Sequence, residues 1–139
     1  MSAMYGKRYE DYIKVIYRIA KEKGHVRLKD VADAMNLRPP TVLQYIMKLS
    51  ERGLVEYSKG EIKLTQDGIA QAEKIEHQYN VIVKFLINVL GVPEERAKEE
   101  ACFVEHGFSE DTIRRLERLV ERFRRSKKCK EECLSGITS

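Results

Sequence analysis

The chain has 139 residues, enough for one or two small domains, and its 42% hydrophobic and 35% charged residues are typical of a soluble globular protein. No apolar run approaches the roughly 20 residues that cross a membrane, and the N-terminus lacks the apolar stretch of a secretory signal. Three cysteines, an odd number, argue against an extracellular disulfide framework, so we expect a cytoplasmic protein without membrane contact.

The net charge of +4 is unevenly distributed along the chain. Residues 1–64 have a net charge of +5, residues 65–121 of −5 and residues 122–139 of +4. A basic N-terminal block favours an anionic partner, and an acidic middle block favours a site for cations. Ordinary solvated surfaces are the alternative explanation for both blocks.

The N-terminal elements follow from apolar spacing and turn residues. The pattern predicts a helix over 5–23, a shorter helix over 28–35, and a third helix that opens at Pro39-Pro40 and ends near Gly53. Two alternating runs over 54–64, separated by Ser-Lys-Gly, predict a β-hairpin. This element order is that of a winged helix-turn-helix.

The C-terminal half is predicted to be helical. Thr65 is the expected N-cap of a long helix over 66–90, which Gly91 and Pro93 end. A helix over 93–106 and a last helix after Ser109 follow. The sequence therefore predicts a mainly α protein: a winged helix-turn-helix DNA-binding domain with a small β-hairpin wing over 1–64, an all-α domain over 65–125, and a loosely ordered, basic, Cys-containing tail over 126–139.

The third helix carries the predicted DNA contacts, because the major groove admits one α-helix. If Val42, Ile46 and Leu49 face the core, the side chains that face outward can bind bases and phosphates, and basic residues near the helix and on the hairpin can bind the flanking backbone. The candidate contacts are Arg38, Pro39, Thr41, Gln44, Tyr45, Lys48, Lys59 and Lys63. A solvated helix face is the alternative.

A short run in the acidic block suggests a metal site. In a helix, Cys102, Glu105 and His106 stand at i, i+3 and i+4 and project from one face. A thiolate, a carboxylate and an imidazole suit a first-row transition metal better than Ca²⁺ or Mg²⁺. A buried core cysteine beside two exposed polar residues is the alternative.

Several motifs in order resemble the diphtheria toxin repressor and manganese transport regulator family of metal-dependent transcription repressors. They are Glu-Asp-Tyr-Ile-Lys-Val-Ile-Tyr at 10–17, Val31-Ala32-Asp33, Pro39-Pro40-Thr41-Val42, Leu64-Thr65-x-x-Gly68, His77 with Phe85-Leu86, and Glu100-Ala101-Cys102-x-x-Glu105-His106. The resemblance, over residues 9–123, implies a homodimer that binds palindromic operators and represses metal-uptake genes, with dimerisation and metal binding in the helical domain. The implied metal ligands are Asp11, His77, Cys102, Glu105 and His106.

The identity of the metal depends on where the chain departs from the two branches of that family. The manganese-sensing branch has a carboxylate where this chain has Lys14 and a glutamate where it has Cys102, whereas the iron-sensing branch has the cysteine. Val81 and Lys98 stand where the iron branch needs ligands for an ancillary site, so one principal site is expected. A thiolate suits Fe²⁺, Zn²⁺, Co²⁺ or Ni²⁺ better than Mn²⁺, which stays a possible ion. The resemblance to the iron branch makes Fe²⁺ the first expectation, although Zn²⁺ is equally compatible chemically.

Two other functions fit part of the sequence. A metalloenzyme could use the His, Cys and Glu residues around a catalytic ion, but the chain has no Gly-rich phosphate loop, nucleophile elbow or H-E-x-x-H run. A winged-helix protein could also bind DNA without sensing metal. Cys129 and Cys133, four residues apart in the tail, could form a further metal site, a redox pair or an intersubunit contact, or could be ordinary thiols.

Overall fold

The computed structural model describes the backbone of residues 6–138 and the side chains of residues 8–128. The chain divides into two compact units, Met1–Glu76 and His77–Ser139. The elements are α1 (Gly6–Lys23), β1 (Val26–Arg27), α2 (Leu28–Met35), α3 (Pro39–Glu51), β2 (Val55–Ser58), β3 (Glu61–Leu64), α4 (Gln66–Lys84), a π-helical segment (Phe85–Val89), α5 (Glu94–Val104) and α6 (Glu110–Thr138). In this part of the chain no helix is both long and apolar enough to cross a bilayer.

The first unit is built around the apolar faces of its helices. On α1, Tyr12, Ile13 and Ile16 recur at helical spacing and are buried. On α3, Val42, Ile46 and Leu49 follow the same rule, and Pro39 and Pro40 occupy the first turn, where a missing N–H costs nothing. These faces form one hydrophobic core, which fixes which side of α3 is free for a ligand.

A three-stranded antiparallel sheet with the order β1-β3-β2 completes this unit. Ser58 pairs with Glu61, so the hairpin loop between β2 and β3 has two residues, Lys59 and Gly60. Both have positive φ angles, 53° and 80°, which is the conformation of the tight hairpin turn that matches the twist of the strands. The sequence predicted this hairpin but not β1, because a two-residue strand is too short to show an alternating pattern.

The junction between the sheet and α4 depends on Thr65 and Gly68. The Thr65 hydroxyl donates a hydrogen bond to the Gly53 carbonyl at 2.6 Å and accepts one from the Gly68 N–H at 3.1 Å, so the predicted N-cap is confirmed. A Cβ at Gly68 would overlap the carbonyl oxygen of Leu54. Only glycine therefore allows the first turn of α4 to lie this close to the chain before β2.

The second unit has a smaller core. Val81, Ile82, Ala101 and Ile113 are buried together, and Leu86 and Leu116 pack against them. The long helix predicted over 66–90 leaves α geometry after Lys84, since Phe85–Val89 is π-helical and the Leu90 N–H donates to the Phe85 carbonyl at 3.3 Å. Gly91, with φ of 72°, ends the helix ahead of Pro93.

The predicted fold class, a winged helix-turn-helix followed by a helical domain, is confirmed. Two expectations for the helical part were wrong. Helix α5 ends at Val104, two residues before the predicted end, and α6 continues to Thr138 through the segment expected to be loosely ordered. No proline lies after Pro93 and no glycine lies between Gly107 and Gly136, so nothing interrupts α6 at Ser126. The side chains of Cys129 and Cys133 lie outside the described residues.

Candidate DNA-binding surface and metal centre

The outward face of α3 carries three of the predicted DNA contacts, namely Thr41, Gln44 and Lys48. Gln44 and Lys48 are exposed and lie one helical turn apart, and Thr41 at the start of the helix is half-buried. Met47, which is not among the contacts predicted from the sequence, is 47% exposed on the same side. Its position was predictable from the spacing of Val42, Ile46 and Leu49. The face offers an amide, an ammonium group and an apolar side chain.

Tyr45 does not lie on this outward face, contrary to the expectation from the sequence. Its side chain is half-buried and packs against the hydrophobic core. The ring of Tyr45 stacks on Tyr12, with 4.7 Å between centroids, and meets Tyr9 edge-on at 5.1 Å. Tyr45 precedes Ile46 by one residue and follows Val42 by three, so it widens the buried stripe of α3.

The remaining predicted DNA contacts surround α3 or lie on the wing. Arg38 is the N-cap residue of α3, and both Arg38 and Pro39 are exposed. Lys59 is exposed at the tip of the wing, and Lys63 is exposed on β3. The two wing lysines and the arginine at the N-terminus of α3 are side chains of the type that neutralise backbone phosphates of DNA.

Glu105 is the only buried charged residue among the described side chains, at 1% exposure. Its backbone remains helical just after α5, because φ is −55° and its N–H donates to the Ala101 carbonyl at 2.9 Å. The residue therefore continues the buried row formed by Ala97 and Ala101. His106 is next in the chain, with a side chain that is 9% exposed, and its Nε2 lies 3.3 Å from Glu105 Oε1.

The other predicted ligands have different environments. Cys102 is exposed on α5, since it lies one position beyond the buried row that contains Ala101. His77 on α4 is also exposed, and its Nε2 lies 3.1 Å from Glu117 Oε2 on α6. Within the second unit, as far as its side chains are described, no three His, Cys, Asp or Glu donors lie within 4.8 Å of one another.

Asp11 belongs to the first unit. It is half-buried on α1, between the buried Tyr12 and the half-buried Glu10. Lys14 follows one turn later on the same helix and is also half-buried. An aspartate in this setting offers a carboxylate oxygen, which a divalent transition metal accepts as a ligand.

The donor set fits a divalent metal ion. A carboxylate that is removed from water is costly unless a positive charge or hydrogen bonds compensate it. Glu105 is such a carboxylate, and the imidazole of His106 beside it is the commonest metal-binding side chain. Cys102 lies three residues before Glu105, near the end of α5, and its thiol is a softer ligand type than a carboxylate.

Comparison with protein families assigns both halves of the chain. Residues 4–61 match the iron dependent repressor N-terminal DNA binding domain. Residues 65–134 match the iron dependent repressor metal binding and dimerisation domain. The chain belongs to the iron-dependent repressor family. The resemblance inferred from the motifs is thereby confirmed.

Individual relatives of this repressor family agree with the assignment. An uncharacterized HTH-type transcriptional regulator of Methanocaldococcus jannaschii is 36% identical over 117 residues, which are 83% of this chain and 94% of that protein. The regulator MntR of Bacillus velezensis is 31% identical over 127 residues, 91% of this chain and 89% of MntR. The crystal structure of ScaR with bound Zn²⁺ superposes with a TM-score of 0.72 at 30% identity, over 81% of this chain and 53% of ScaR. The chain thus spans about half the length of ScaR.

Membership in the iron-dependent repressor family decides between the classes of function considered above. The family consists of metal-dependent transcriptional repressors rather than enzymes, so the metalloenzyme interpretation is excluded. A DNA-binding domain and a dimerisation domain make DNA and a second copy of the chain its partners. The metal-binding domain makes a divalent metal ion its cofactor.

Proposed function

We propose that the chain is an Fe²⁺-responsive repressor that acts in the cytoplasm, binds a palindromic operator as a homodimer and controls genes for metal-ion uptake. The buried Glu105 carboxylate beside the His106 imidazole carries this proposal, since both residues belong to the predicted ligand set. The match of residues 65–134 to a metal-binding and dimerisation domain supports it.

The proposed metal ligands are Asp11, His77, Cys102, Glu105 and His106. A bound Fe²⁺ supplies positive charge that compensates the buried carboxylate and restrains the side chains that bind it. Because the Asp11 carboxylate would be fixed to the metal, the turn of α1 that carries Asp11 would be restrained as well. His77 would give up its hydrogen bond with Glu117 to bind the metal, and Cys102 would bind as a thiolate, with its proton released to solvent.

The proposed DNA-binding residues have two different roles: some read bases and others bind phosphates. Gln44 can form two hydrogen bonds to adenine and Met47 can contact a thymine methyl group, so these residues read base sequence. Lys48 and the wing residues Lys59 and Lys63 neutralise phosphates and set the orientation of α3 without reading sequence. A homodimer presents two α3 helices, so the operator should contain two half-sites related by a dyad.

Exposed apolar side chains of the second unit provide the proposed homodimer surface. Phe103 is 73% exposed and Leu90 is 59% exposed, and further large apolar residues of this unit are 39–45% exposed, namely Val104, Phe108, Leu119 and Phe123. Isolated exposed apolar residues are ordinary, but this many in one small unit are typical of an interaction surface. A second copy of the chain is the occupant, because this unit matches a dimerisation domain.

Metal dependence of DNA binding tests the proposal. The apoprotein is titrated anaerobically with Fe²⁺, Zn²⁺ and Mn²⁺, and its affinity for a DNA fragment obtained by in vitro selection is measured at each step. We expect Fe²⁺ to tighten DNA binding at lower concentration than Mn²⁺. By linkage, the same DNA must tighten Fe²⁺ binding by the same factor. DNA binding that is unchanged by chelator would contradict the proposal and favour a metal-independent winged-helix protein.

Substitutions in α5 and the turn after it test the ligand set. Glu105→Gln preserves size but removes the charge, so we expect loss of Fe²⁺-dependent DNA binding with retained helical circular dichroism. Glu100→Gln removes a charge from an exposed position of α5 and serves as the control. Cys102→Glu replaces a soft donor by a hard one and should shift the preference from Fe²⁺ toward Mn²⁺. Equal Fe²⁺ dependence of the Glu105→Gln and Glu100→Gln variants would eliminate Glu105 as a ligand.

A further inference from the structure

Three tyrosines connect α1 and α3. Tyr12 is fully buried, and Tyr45 from α3 stacks on it with 4.7 Å between ring centroids and 23° between ring planes. Tyr9, one turn before Tyr12, meets Tyr45 edge-on, with 5.1 Å between centroids and 63° between planes. Both arrangements are favourable for aromatic quadrupoles. The ring of Tyr45 is therefore held on two sides by residues of one turn of α1.

Two arginines reinforce this aromatic cluster of Tyr9, Tyr12 and Tyr45. The guanidinium carbon of Arg8 on α1 lies 5.9 Å from the ring centroid of Tyr45 on α3. The guanidinium carbon of Arg52, just after α3, lies 5.1 Å from the ring centroid of Tyr9 on α1. Both distances are within the range of cation–π attraction. Arg8 of α1 thus lies over a ring of α3, and Arg52, which directly follows α3, lies over a ring of α1.

The position of the cluster in the sequence links a proposed metal ligand to the DNA-binding surface. Asp11 lies between Tyr9 and Tyr12 on α1. On α3, Tyr45 follows Gln44 directly and precedes Lys48 by three residues, so it shares one helical turn with both. The cluster therefore connects the turn that carries Asp11 to the turn that carries two proposed DNA contacts.

We propose that the Tyr9–Tyr12–Tyr45 cluster transmits metal binding at Asp11 to α3, with Tyr45 as a positioning residue. This inference rests on the proposed function, which makes Asp11 a metal ligand. Close-packed rings cannot slide past one another without losing contacts, so α3 must follow a displacement of the turn over residues 8–12. A bound metal that restrains this turn thereby restrains the angle at which Gln44 and Lys48 meet the groove.

The test compares conservative and non-conservative variants of Tyr45. Affinity for the selected DNA is measured with Fe²⁺ and with chelator, and the ratio of the two dissociation constants is the metal response. Tyr45→Phe preserves the ring and should retain the wild-type response. Tyr45→Leu preserves an apolar side chain but removes the ring, and the response should fall about tenfold, a typical allosteric coupling. The Fe²⁺ affinity of Tyr45→Leu without DNA should stay within twofold of wild type.

Tyr57→Leu is the matched control. Tyr57 on β2 is also a half-buried tyrosine packed against the same core, but it is outside the cluster. The same substitution there should leave the metal response unchanged. Circular dichroism shows whether Tyr45→Leu folds. If it does not, Tyr9→Leu is used instead: Tyr9 is only half-buried, and its loss removes the edge-on contact with Tyr45, so this variant should also lower the metal response.

Three results would overturn the inference. One is an unchanged metal response in the folded ring-deleting variants. Another is equal weakening of DNA binding with and without Fe²⁺ in Tyr45→Leu, which would make Tyr45 a direct DNA contact or a purely structural residue. The third is an equal loss of response in Tyr57→Leu. Failure of the proposed function is recognised separately, because the wild-type protein itself would then show no metal response.

Discussion

Gly68 lies directly against the carbonyl oxygen of Leu54, with no space for a side-chain carbon between them. The contact occurs where α4 leaves the wing, and the Gly68 N–H also binds the hydroxyl of Thr65. One glycine therefore allows the helix cap and the close approach of two chain segments at once. The motif Leu64-Thr65-x-x-Gly68 thus has a structural explanation that is independent of ligand binding.

Gly68→Ala should destabilise the protein by about 3 kcal/mol, because the added methyl group must displace backbone rather than a flexible side chain. The free energy of unfolding in urea measures the effect. Gly107→Ala is the control: a Cβ there would lie 3.5 Å from the Val104 carbonyl oxygen, an ordinary contact. A loss of less than about 0.5 kcal/mol in Gly68→Ala would show that the two segments separate easily.

Gln44→Ala and Lys48→Ala should affect DNA binding in different ways. Loss of the Gln44 amide should reduce discrimination at one base pair by about 1–3 kcal/mol, because a neutral amide reads base edges. Loss of the Lys48 ammonium group should weaken binding to all sequences alike. Affinities for a set of singly substituted operators distinguish these results. If Lys48→Ala changed the preferred base and Gln44→Ala did not, the assigned roles would be reversed.

Lys59→Asn should weaken DNA binding without disturbing the wing. Lys59 has a φ of 53°, and asparagine is among the few side chains that adopt positive φ readily. Removal of one phosphate contact should reduce the slope of log affinity against log salt by about 1. Lys98→Gln, an exposed lysine of the second unit, should leave that slope unchanged. An unaltered slope in Lys59→Asn would remove the wing tip from the DNA-binding surface.

Asp30 makes stability depend on pH. The backbone N–H of Arg27 donates a hydrogen bond to the Asp30 carboxylate at 3.0 Å, and the Lys23 Nζ lies 3.2 Å from the same carboxylate. The hydrogen bond from Arg27, and after it the contact with Lys23, lower the pKa of Asp30 below its ordinary value of 3.8. A carboxyl group whose pKa is lowered on folding stabilises the protein above its unfolded-state pKa. This stabilisation is lost as the pH falls through the folded-state pKa.

Asp30→Asn should therefore reduce the free energy of unfolding by about 1 kcal/mol at pH 7, and the difference should shrink below about pH 4. Urea titrations at pH 7 and at pH 3 measure it. Asp33→Asn on the exposed side of the same helix should change stability little at either pH. A pH-independent difference between wild type and Asp30→Asn would mean that shape rather than charge stabilises the start of α2.

Phe103→Glu should shift the homodimer toward monomer, because a carboxylate placed in an apolar interface loses its hydration. Phe103 is 73% exposed within one copy of the chain, so the substitution should not unfold the unit. Sedimentation equilibrium with excess metal measures the dimer fraction. Glu99→Lys, which changes an exposed position of α5, is the control. An unchanged dimer fraction in Phe103→Glu would place the interface elsewhere.

The sequence alone determined the order of the helices and the hairpin, because these depend on local spacing, and its motifs sufficed to show the resemblance to the family. Pro39-Pro40, Lys59-Gly60 and Thr65 each specify backbone geometry within a few residues, and the structure agrees at all three. The outward phase of α3 at Gln44 and Lys48 followed from the same reasoning. The continuation of α6 past Ser126 is also explained locally, because neither proline nor glycine follows until Gly136 and a basic, polar composition alone does not end a helix.

Only the tertiary structure decided which residues are buried and what they contact. The sequence placed Cys102, Glu105 and His106 on one face, but the packing of Ala97 and Ala101 buries Glu105 and leaves Cys102 exposed. Helical spacing likewise placed Tyr45 on the outward face of α3, whereas its ring lies against Tyr9 and Tyr12. Helical spacing gives the direction of a side chain to within a turn, but burial depends on residues far away in the sequence, which spacing cannot report.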